Sequence, residues 1–193
     1  AYIDYWNQFY EEHERMEPSQ FAEFAIERID DNARILDLGC GDGRDSVYFH
    51  DMGHSIIGVD ISASSIEQLR QLKLRNSTFR QEDFSQLDGD IEFDVAYSRF
   101  SLHAVDKTAQ RETMQWCYEQ LTPGGQLFIE VRSVNDDLYS KGKQVDPNDF
   151  ITDHYRCFLD SKALRNQLRA IGFNIDYFTE SRDYHHLNGV TRS

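Results

Sequence analysis

Short apolar runs alternate along this chain with segments whose apolar residues recur at helical spacing. Runs of strand length lie at residues 34–38, 55–59, 78–81, 93–97, 126–131 and 173–178. Helical patterns lie at about residues 43–52, 62–73 and 108–120, and Ser62 and Thr108 are the expected N-cap residues. Such alternation is typical of a parallel sheet covered by helices. The pattern predicts an α/β fold in which residues 1–193 form one domain.

A further helix is expected ahead of the first strand. Phe21, Phe24 and Ile29 recur at helical spacing after Pro18-Ser19. The residues before them are rich in aromatic side chains. We therefore expect residues 1–30 to form a helical cover that packs on the sheet or folds over a ligand.

Composition and charge narrow the range of partners. The chain has 34 acidic and 20 basic residues, and its net charge of -14 would repel a nucleic-acid backbone. No apolar stretch approaches the roughly 18 residues of a membrane span, and the first residues lack a signal-peptide pattern. Cys40, Cys117 and Cys157 have no zinc spacing and cannot all pair with one another. These features predict a soluble cytoplasmic protein without a metal site.

The turn after the first strand contains Gly39, Gly41 and Gly43. Glycine lets the chain turn sharply and lets a ligand approach the backbone. The fingerprint of a dinucleotide site would need another glycine where Arg44 stands, so a nicotinamide oxidoreductase is disfavoured. Asp37, inside the end of the strand, instead suits a cofactor with an amino group and a sulfonium centre.

Two more acids follow at informative positions. Asp60 ends the second strand, 23 residues after Asp37, where a carboxylate can accept both hydroxyls of a ribose. Asp83 and Phe84 follow the strand at residues 78–81, where an acid and a ring could bind the amino group and the face of adenine. The alternative is that Asp83 only caps the loop that follows.

With these motifs the chain resembles the class I methyltransferases that use S-adenosylmethionine (SAM), over about 170 residues. The resemblance implies a Rossmann-like, mostly parallel sheet of seven strands in the order 3-2-1-4-5-7-6, with helices on both faces and an antiparallel last strand. The segment after Phe178 is polar, so the last strand is expected to be short or incomplete.

The same resemblance implies the cofactor site. SAM is the expected cofactor and S-adenosylhomocysteine its product. The turn would hold the methionine moiety, Asp60 the ribose and Asp83 the adenine. The expected cofactor-binding residues are Asp37, Gly39, Cys40, Gly41, Gly43, Asp60, Ile61, Asp83, Phe84 and Ser98.

Methyl transfer requires chiefly that the acceptor be aligned and water excluded, because the sulfonium already activates the carbon. An oxygen acceptor gains from a general base, and His103 follows the fourth strand, where such a site opens. A histidine that packs beneath the next helix is the competing interpretation. Arg99 and Tyr97 are the next catalytic candidates.

Residues 133–158 are long for a connection between a strand and a helix, which predicts a lid-like insertion. Arg132, His154 and Arg156 in or beside it could bind a phosphate or carboxylate, although they could also form ordinary surface pairs. This segment, together with Ser98-Arg99-Phe100, resembles methyltransferases that accompany bacterial enzymes of surface-carbohydrate and phosphorus-containing sugar modification, and this resemblance implies an oxygen acceptor. We therefore expect a small anionic or sugar-type acceptor, and we leave open a monomer or a homodimer and a non-catalytic SAM-binding regulatory module.

Overall fold

The computed structural model describes residues 3–4, 17–133, 142–151, 155–180 and 188–192. The strands are β1 (Arg34–Leu38), β2 (Ser55–Asp60), β3 (Thr78–Gln81), β4 (Phe93–Arg99), β5 (Leu121–Glu130), β6 (Lys143–Asp146), β7 (Asp149–Ile151), β8 (Tyr155–Cys157), β9 (Phe173–Phe178) and β10 (Asn188–Arg192). The helices are α1 (Gln20–Ile26), α2 (Arg44–Asp51), α3 (Ala63–Gln71), α4 (Lys107–Gln120) and α5 (Ser161–Ile171). None of these described helices is long and apolar enough to cross a membrane.

The main sheet has the strand order β3-β2-β1-β4-β5-β10-β9. Strands β1 to β5 pair in parallel, which confirms the α/β class and the predicted order 3-2-1-4-5. β10 lies between β5 and β9 and is antiparallel to both. From β1 the strand order runs to β2 and β3 on one side and to β4 and β5 on the other. This change of direction leaves a crevice at the carboxyl ends of β2, β1 and β4.

The sheet buries apolar side chains on both faces. Leu36 and Leu38 of β1 belong to the core cluster that includes residues of α4 and α5. Ile35 belongs to the cluster on the other face, with residues of α1, α2 and α3. Strands buried on both faces are expected to read as continuous apolar runs, and this is why the sequence pattern located them.

The helix caps agree with the sequence in part. Ser62 is the N-cap of α3, as predicted, and its hydroxyl accepts from the Ser65 N–H. The prediction for α4 was wrong, because this helix begins at Lys107 and not after Thr108. Its N-cap is Asp106, whose carboxylate accepts from the Ala109 N–H at 2.9 Å. A carboxylate also interacts favourably with the positive end of the helix dipole, which favours Asp106 over the hydroxyl two residues later.

The N-terminal helix predicted around Phe21 is α1, with Ser19 as its N-cap. Phe21, Ala22 and Ala25 of this helix are buried against the sheet. The aromatic residues expected to cover a ligand, between residues 5 and 16, lie outside the described residues.

A small antiparallel sheet of β6, β7 and β8 occupies the described part of the expected insertion. The chain enters and leaves the insertion side by side, because Ser133 pairs with Leu159 and the Leu159 N–H donates to the Arg132 carbonyl at 3.0 Å. β8 packs against the 3₁₀ turn Leu102–Ala104 that follows β4. The insertion thus lies at the carboxyl edge of the sheet, and its role as a lid stays a prediction.

The cap of α4 gives a direct test of the corrected helix start. Asp106→Ala should lower the free energy of unfolding by about 0.5–2 kcal/mol, because the Ala109 N–H loses its acceptor and the helix dipole loses a favourable negative charge. Thr108→Ala, an exposed neighbour in the first turn, is the matched control and should change it by less than about 0.5 kcal/mol. Urea denaturation measures both, and equal losses would show that Asp106 is not the cap that matters.

Candidate cofactor and acceptor site

The turn between β1 and α2 is fixed to the end of β2. The N–H groups of Gly39 and Cys40 both donate to the Val59 carbonyl, each at 2.9 Å. The turn then leads into α2, whose N-cap is Gly43. The first N–H groups of α2 therefore lie beside the crevice at the carboxyl ends of β1 and β2.

Two of the three glycines in this turn are required by packing. Gly39 has a φ of 75°, and a Cβ there would lie 2.6 Å from the Ser101 Oγ. Gly43 has a φ of 81°, and a Cβ there would lie 2.3 Å from Leu69 Cδ2. These glycines let the turn fit between α3 and the segment after β4. Their expected contact with a cofactor would have to come from their backbone atoms.

Asp37 is buried at the end of β1, with 3% of its surface exposed. Ser46 on α2 donates its hydroxyl to Asp37 Oδ2 at 2.6 Å. Burial, with a smaller contribution from the nearby carboxylates of Asp45 and Asp60, raises the pKa of Asp37 to about 8. A cationic ligand group placed here would favour the ionised carboxylate. The sequence indicated Asp37 but not its partner Ser46.

Asp60 is the second buried acid of the crevice. Its Oδ2 accepts from the Gly41 N–H at 2.9 Å and its Oδ1 accepts from the Ser62 N–H at 2.8 Å. Burial raises the pKa of Asp60, and these backbone hydrogen bonds oppose that increase. Each carboxylate oxygen can accept a second donor, so two hydroxyls of a ribose fit this group.

The adenine candidates lie next to the crevice in a 3₁₀ turn, Phe84–Gln86. Asp83 is the N-cap of this turn and accepts from the Ser85 N–H at 2.9 Å and from its hydroxyl at 2.7 Å. Phe84 is buried in the core cluster of β1 and α4. Asp83 therefore makes the capping contact that was the alternative interpretation, and its contact with adenine stays a prediction.

Three other candidates for cofactor contact differ in exposure. Cys40 and Ser98 are buried, and Ser98 has no exposed surface. The Ser98 hydroxyl has no hydrogen-bond partner among the described residues. Ile61 is half-buried directly after β2. Ile61 is the most exposed of the three, Cys40 keeps 8% of its surface exposed, and their contacts with the cofactor stay predictions.

Tyr97 makes structural contacts, and its catalytic role stays a prediction. It is 1% exposed, and its hydroxyl donates to Asp45 Oδ2 at 2.6 Å. Ser19 donates both its N–H and its hydroxyl to the same carboxylate, at 2.8 and 2.7 Å. The Tyr97 ring packs between Phe21 and Phe49 on the face of the sheet that carries α1 and α2. These contacts join α1 and α2 to β4.

The other two catalytic candidates meet around Phe100. Arg99 places its guanidinium carbon 4.5 Å from the centre of the Phe100 ring, and its Nε lies 3.5 Å from Glu130 Oε2. His103 lies in the 3₁₀ turn Leu102–Ala104, and the centre of its ring is 5.7 Å from the centre of the Phe100 ring. His103 is only 4% exposed, which agrees with the competing interpretation that it is a packed histidine.

Sequence reasoning missed three residues that hold this turn. Gln110 on α4 donates its side-chain amide to the carbonyls of Leu102 and Val105, at 2.9 and 3.1 Å. Glu130 is a fully buried acid that ends β5 directly after the apolar run Leu127-Phe128-Ile129. That acid was a visible signal, because a charge in such a position needs a partner. The positive φ of Phe100 had no signal in the sequence.

The residues expected to bind an anionic acceptor are brought together in part. Arg132 has its guanidinium carbon 5.2 Å from the centre of the Phe100 ring. Arg156 is half-buried in β8, the strand that packs on the turn of His103. The backbone pairing of Ser133 with Leu159 places the two arginine-bearing segments side by side. His154 lies outside the described residues.

A family model described as a methyltransferase domain matches residues 10–177 of the chain. The chain belongs to the SAM-dependent methyltransferases. It is 28% identical to trans-aconitate 2-methyltransferase of Deinococcus radiodurans, over 63% of this chain and 46% of that protein. It is 26% identical to malonyl-[acyl-carrier protein] O-methyltransferase of Enterobacter lignolyticus, over 72% and 54%. The chain therefore spans about half the length of these curated relatives.

Solved structures share the fold at low sequence identity. A SAM-dependent methyltransferase from Mesorhizobium loti superposes with a TM-score of 0.75 at 19% identity, covering 89% of this chain and 98% of that one. The 1,6-didemethyltoxoflavin-N1-methyltransferase of Burkholderia thailandensis, solved with S-adenosylhomocysteine, gives 0.70 at 22% identity, covering 90% and 76%. The described residues of the methyltransferase site fit SAM, because Asp60 keeps acceptor capacity and Asp37 would be stabilised by a cationic amino group.

The pKa of Asp37 predicts how stability depends on pH. The folded protein binds this proton more tightly than the unfolded chain, so Asp37 makes the free energy of unfolding fall as pH rises from about 4 to about 8. Asp37→Asn should remove that contribution, which can reach roughly 1.4 kcal/mol per pH unit. It should therefore raise the melting temperature at pH 8 relative to the unchanged protein.

Ser46→Ala is the matched comparison, because the Ser46 hydroxyl lowers the pKa of Asp37 and its removal should extend the fall in stability to higher pH. Calorimetric melting from pH 5 to above pH 8 measures all three proteins. Parallel pH profiles for Asp37→Asn and the unchanged protein would assign the titration to another group.

Proposed function

We propose that this methyltransferase transfers a methyl group from SAM to an oxygen atom of a small anionic or sugar-type metabolite. The observation that carries the proposal is the cluster at the ends of β4 and β5, where Arg99, His103 and Arg132 all contact Phe100. The cluster borders the crevice that contains Asp37 and Asp60. A cofactor side and a cationic acceptor side thus share one edge of the sheet.

On the cofactor side, Asp60 would accept the two ribose hydroxyls while it holds Gly41 and Ser62 in place. The turn after β1 would contact the methionine moiety through its backbone, and Asp83 would accept from the adenine amino group. Bound SAM supplies a methyl carbon that is activated by its positively charged sulfur. The order β3-β2-β1-β4-β5-β10-β9 supports the seven-stranded arrangement that is usual for such a site.

On the acceptor side, Arg132 and Arg156 would bind a phosphate or carboxylate at short range, against the overall charge of -14. His103 would take the proton from the acceptor hydroxyl as its oxygen forms a bond to the methyl carbon, while the bond between that carbon and the sulfur of SAM breaks and leaves S-adenosylhomocysteine. His154, proposed from the sequence, would belong to the same group. The relative named for trans-aconitate supports an anionic acceptor, because aconitate carries carboxylates.

A second candidate function is a SAM-binding regulatory module without chemistry. It is favoured by one observation, the burial of His103, which leaves 4% of that residue exposed to an acceptor. Binding of SAM without transfer to any acceptor would support this alternative. Product formation from labelled SAM would exclude it.

The cofactor assignment predicts the effect of removing one carboxylate. Asp60→Asn should weaken binding of S-adenosylhomocysteine at least tenfold, because an amide cannot accept from both ribose hydroxyls while keeping the Gly41 and Ser62 contacts. Titration calorimetry measures the affinity, and the exposed Asp88→Asn is the control. A melting curve must show that Asp60→Asn is folded. An unchanged affinity in a folded variant would place the ribose elsewhere.

The acceptor assignment predicts a selective effect of Arg156. Labelled SAM should transfer its methyl group to members of a panel of small carboxylates and sugar phosphates, and less well to neutral sugars. With the best acceptor, Arg156→Ala should raise KM more than tenfold, equal to about 1.4 kcal/mol, because an ionic contact is lost. Arg111→Ala, an exposed site on α4, is the matched control and should leave KM unchanged. Preference for neutral acceptors would contradict the anionic assignment.

A further inference from the structure

Phe100 has a backbone conformation that an aromatic residue adopts rarely. Its φ is 53°, in the left-handed region, directly after β4 ends at Arg99. The Phe100 N–H donates to the carbonyl of Glu130 at 2.8 Å, which holds the residue at the end of β5. Strained residues persist only when their surroundings compensate for the strain, and they concentrate at functional sites.

The ring that this conformation places is a common contact for three polar side chains. The guanidinium carbons of Arg99 and Arg132 lie 4.5 and 5.2 Å from its centre, within the range of a cation–π interaction. The His103 ring lies 5.7 Å away and is inclined by 53° to it. The Phe100 ring thus contacts Arg99, His103 and Arg132, which the proposed function places on the acceptor side.

Glu130 supports this arrangement twice. Its carbonyl receives the Phe100 N–H, and its fully buried carboxylate lies 3.5 Å from the Nε of Arg99. Arg99 and Glu130 are also register partners in the parallel pairing of β4 with β5. Residues 99 and 100 are therefore held to Glu130 by one main-chain hydrogen bond and by one side-chain ion pair. A ring serving only to fill the core would not need this conformation, since an extended residue could bury an apolar side chain equally well.

We propose that Phe100 is a positioning residue of the acceptor site, whose ring, held in left-handed backbone by Glu130, sets the orientation of His103 and Arg132. The inference rests on the proposed function only in calling these two residues the acceptor side. Phe100 itself takes no part in the chemistry. Its effect on transfer acts through the imidazole and the guanidinium that it contacts.

Substitutions at residue 100 separate the ring from the backbone strain. Phe100→Tyr keeps the ring, Phe100→Leu keeps only apolar bulk, and Phe100→Ala and Phe100→Gly remove both. Because glycine adopts a positive φ without strain, Phe100→Gly should be at least as stable as Phe100→Ala, the reverse of their usual order. Phe93→Leu, at the opposite end of β4 in the core, is the control for simple loss of a buried ring.

The first measurement needs no acceptor. Nuclear Overhauser effects between the His103 imidazole protons and the backbone amide protons of residues 101–105, recorded on the protein saturated with S-adenosylhomocysteine, should keep their pattern in Phe100→Tyr and change in Phe100→Leu, because the imidazole loses the ring that sets its orientation. Affinity for S-adenosylhomocysteine should stay within twofold in both. An unchanged pattern in Phe100→Leu would overturn the inference even if the protein methylates an acceptor.

The second measurement uses whichever acceptor the labelled-SAM panel identifies. Phe100→Leu should lower kcat/KM at least tenfold, Phe100→Tyr should stay within threefold of the unchanged protein, and Phe93→Leu should lose stability while keeping its turnover per folded molecule. Equal turnover in Phe100→Leu and the unchanged protein would also overturn the inference. If no acceptor is methylated, the proposed catalytic function fails, and the NMR result alone decides whether Phe100 orients His103.

Discussion

Acidic side chains buried at the carboxyl edge of the sheet are the constraint on which this site depends. Asp37, Asp45 and Asp60 are all nearly inaccessible, in a chain whose net charge is already -14. A buried carboxylate is tolerated only with hydrogen-bond donors around it. The donors come from the first turn of α2, from the N-caps of α1 and α3, and from the glycine turn itself. Those contacts hold α1, α2, α3 and the glycine turn at the ends of β1 and β2.

The same constraint connects the cofactor side with the acceptor side. Burial keeps the pKa of Asp37 high, and the positive charge of Arg99 opposes this effect. Arg99 also lies beside the buried carboxylate of Glu130, so one guanidinium faces two acids from neighbouring strands. Because β1, β4 and β5 are consecutive in the sheet, a change in charge at Asp37 alters the electrostatic potential near Arg132. Binding of a cation at Asp37 and of an anion near Arg132 would therefore favour each other.

The comparison with other methyltransferases shows which parts of the fold are general. The Mesorhizobium loti protein matches most of this chain with only 19% of residues identical. Buried strands and helices tolerate many apolar substitutions as long as their pattern and volume are kept. The relatives named for trans-aconitate and for malonyl-[acyl-carrier protein] carry different acceptors in their names. Acceptor choice is thus expected to depend on the loops after β4 and β5 and on the sheet of β6, β7 and β8.

The sequence pattern determined the parallel strands and the acids at their ends, and the resemblance to class I methyltransferases implied the strand order. Strands buried on both faces must be apolar throughout, and a polar residue at the end of such a run, such as Asp37 or Asp60, is conspicuous. It could not determine what those polar groups contact. The hydroxyl of Tyr97, a catalytic candidate from the sequence, donates to Asp45, 52 residues away in the chain, and only the fold shows this contact. The pairing of Arg99 with Glu130 and the positive φ of Phe100 likewise arise from the register of β4 against β5, which only the tertiary structure decides.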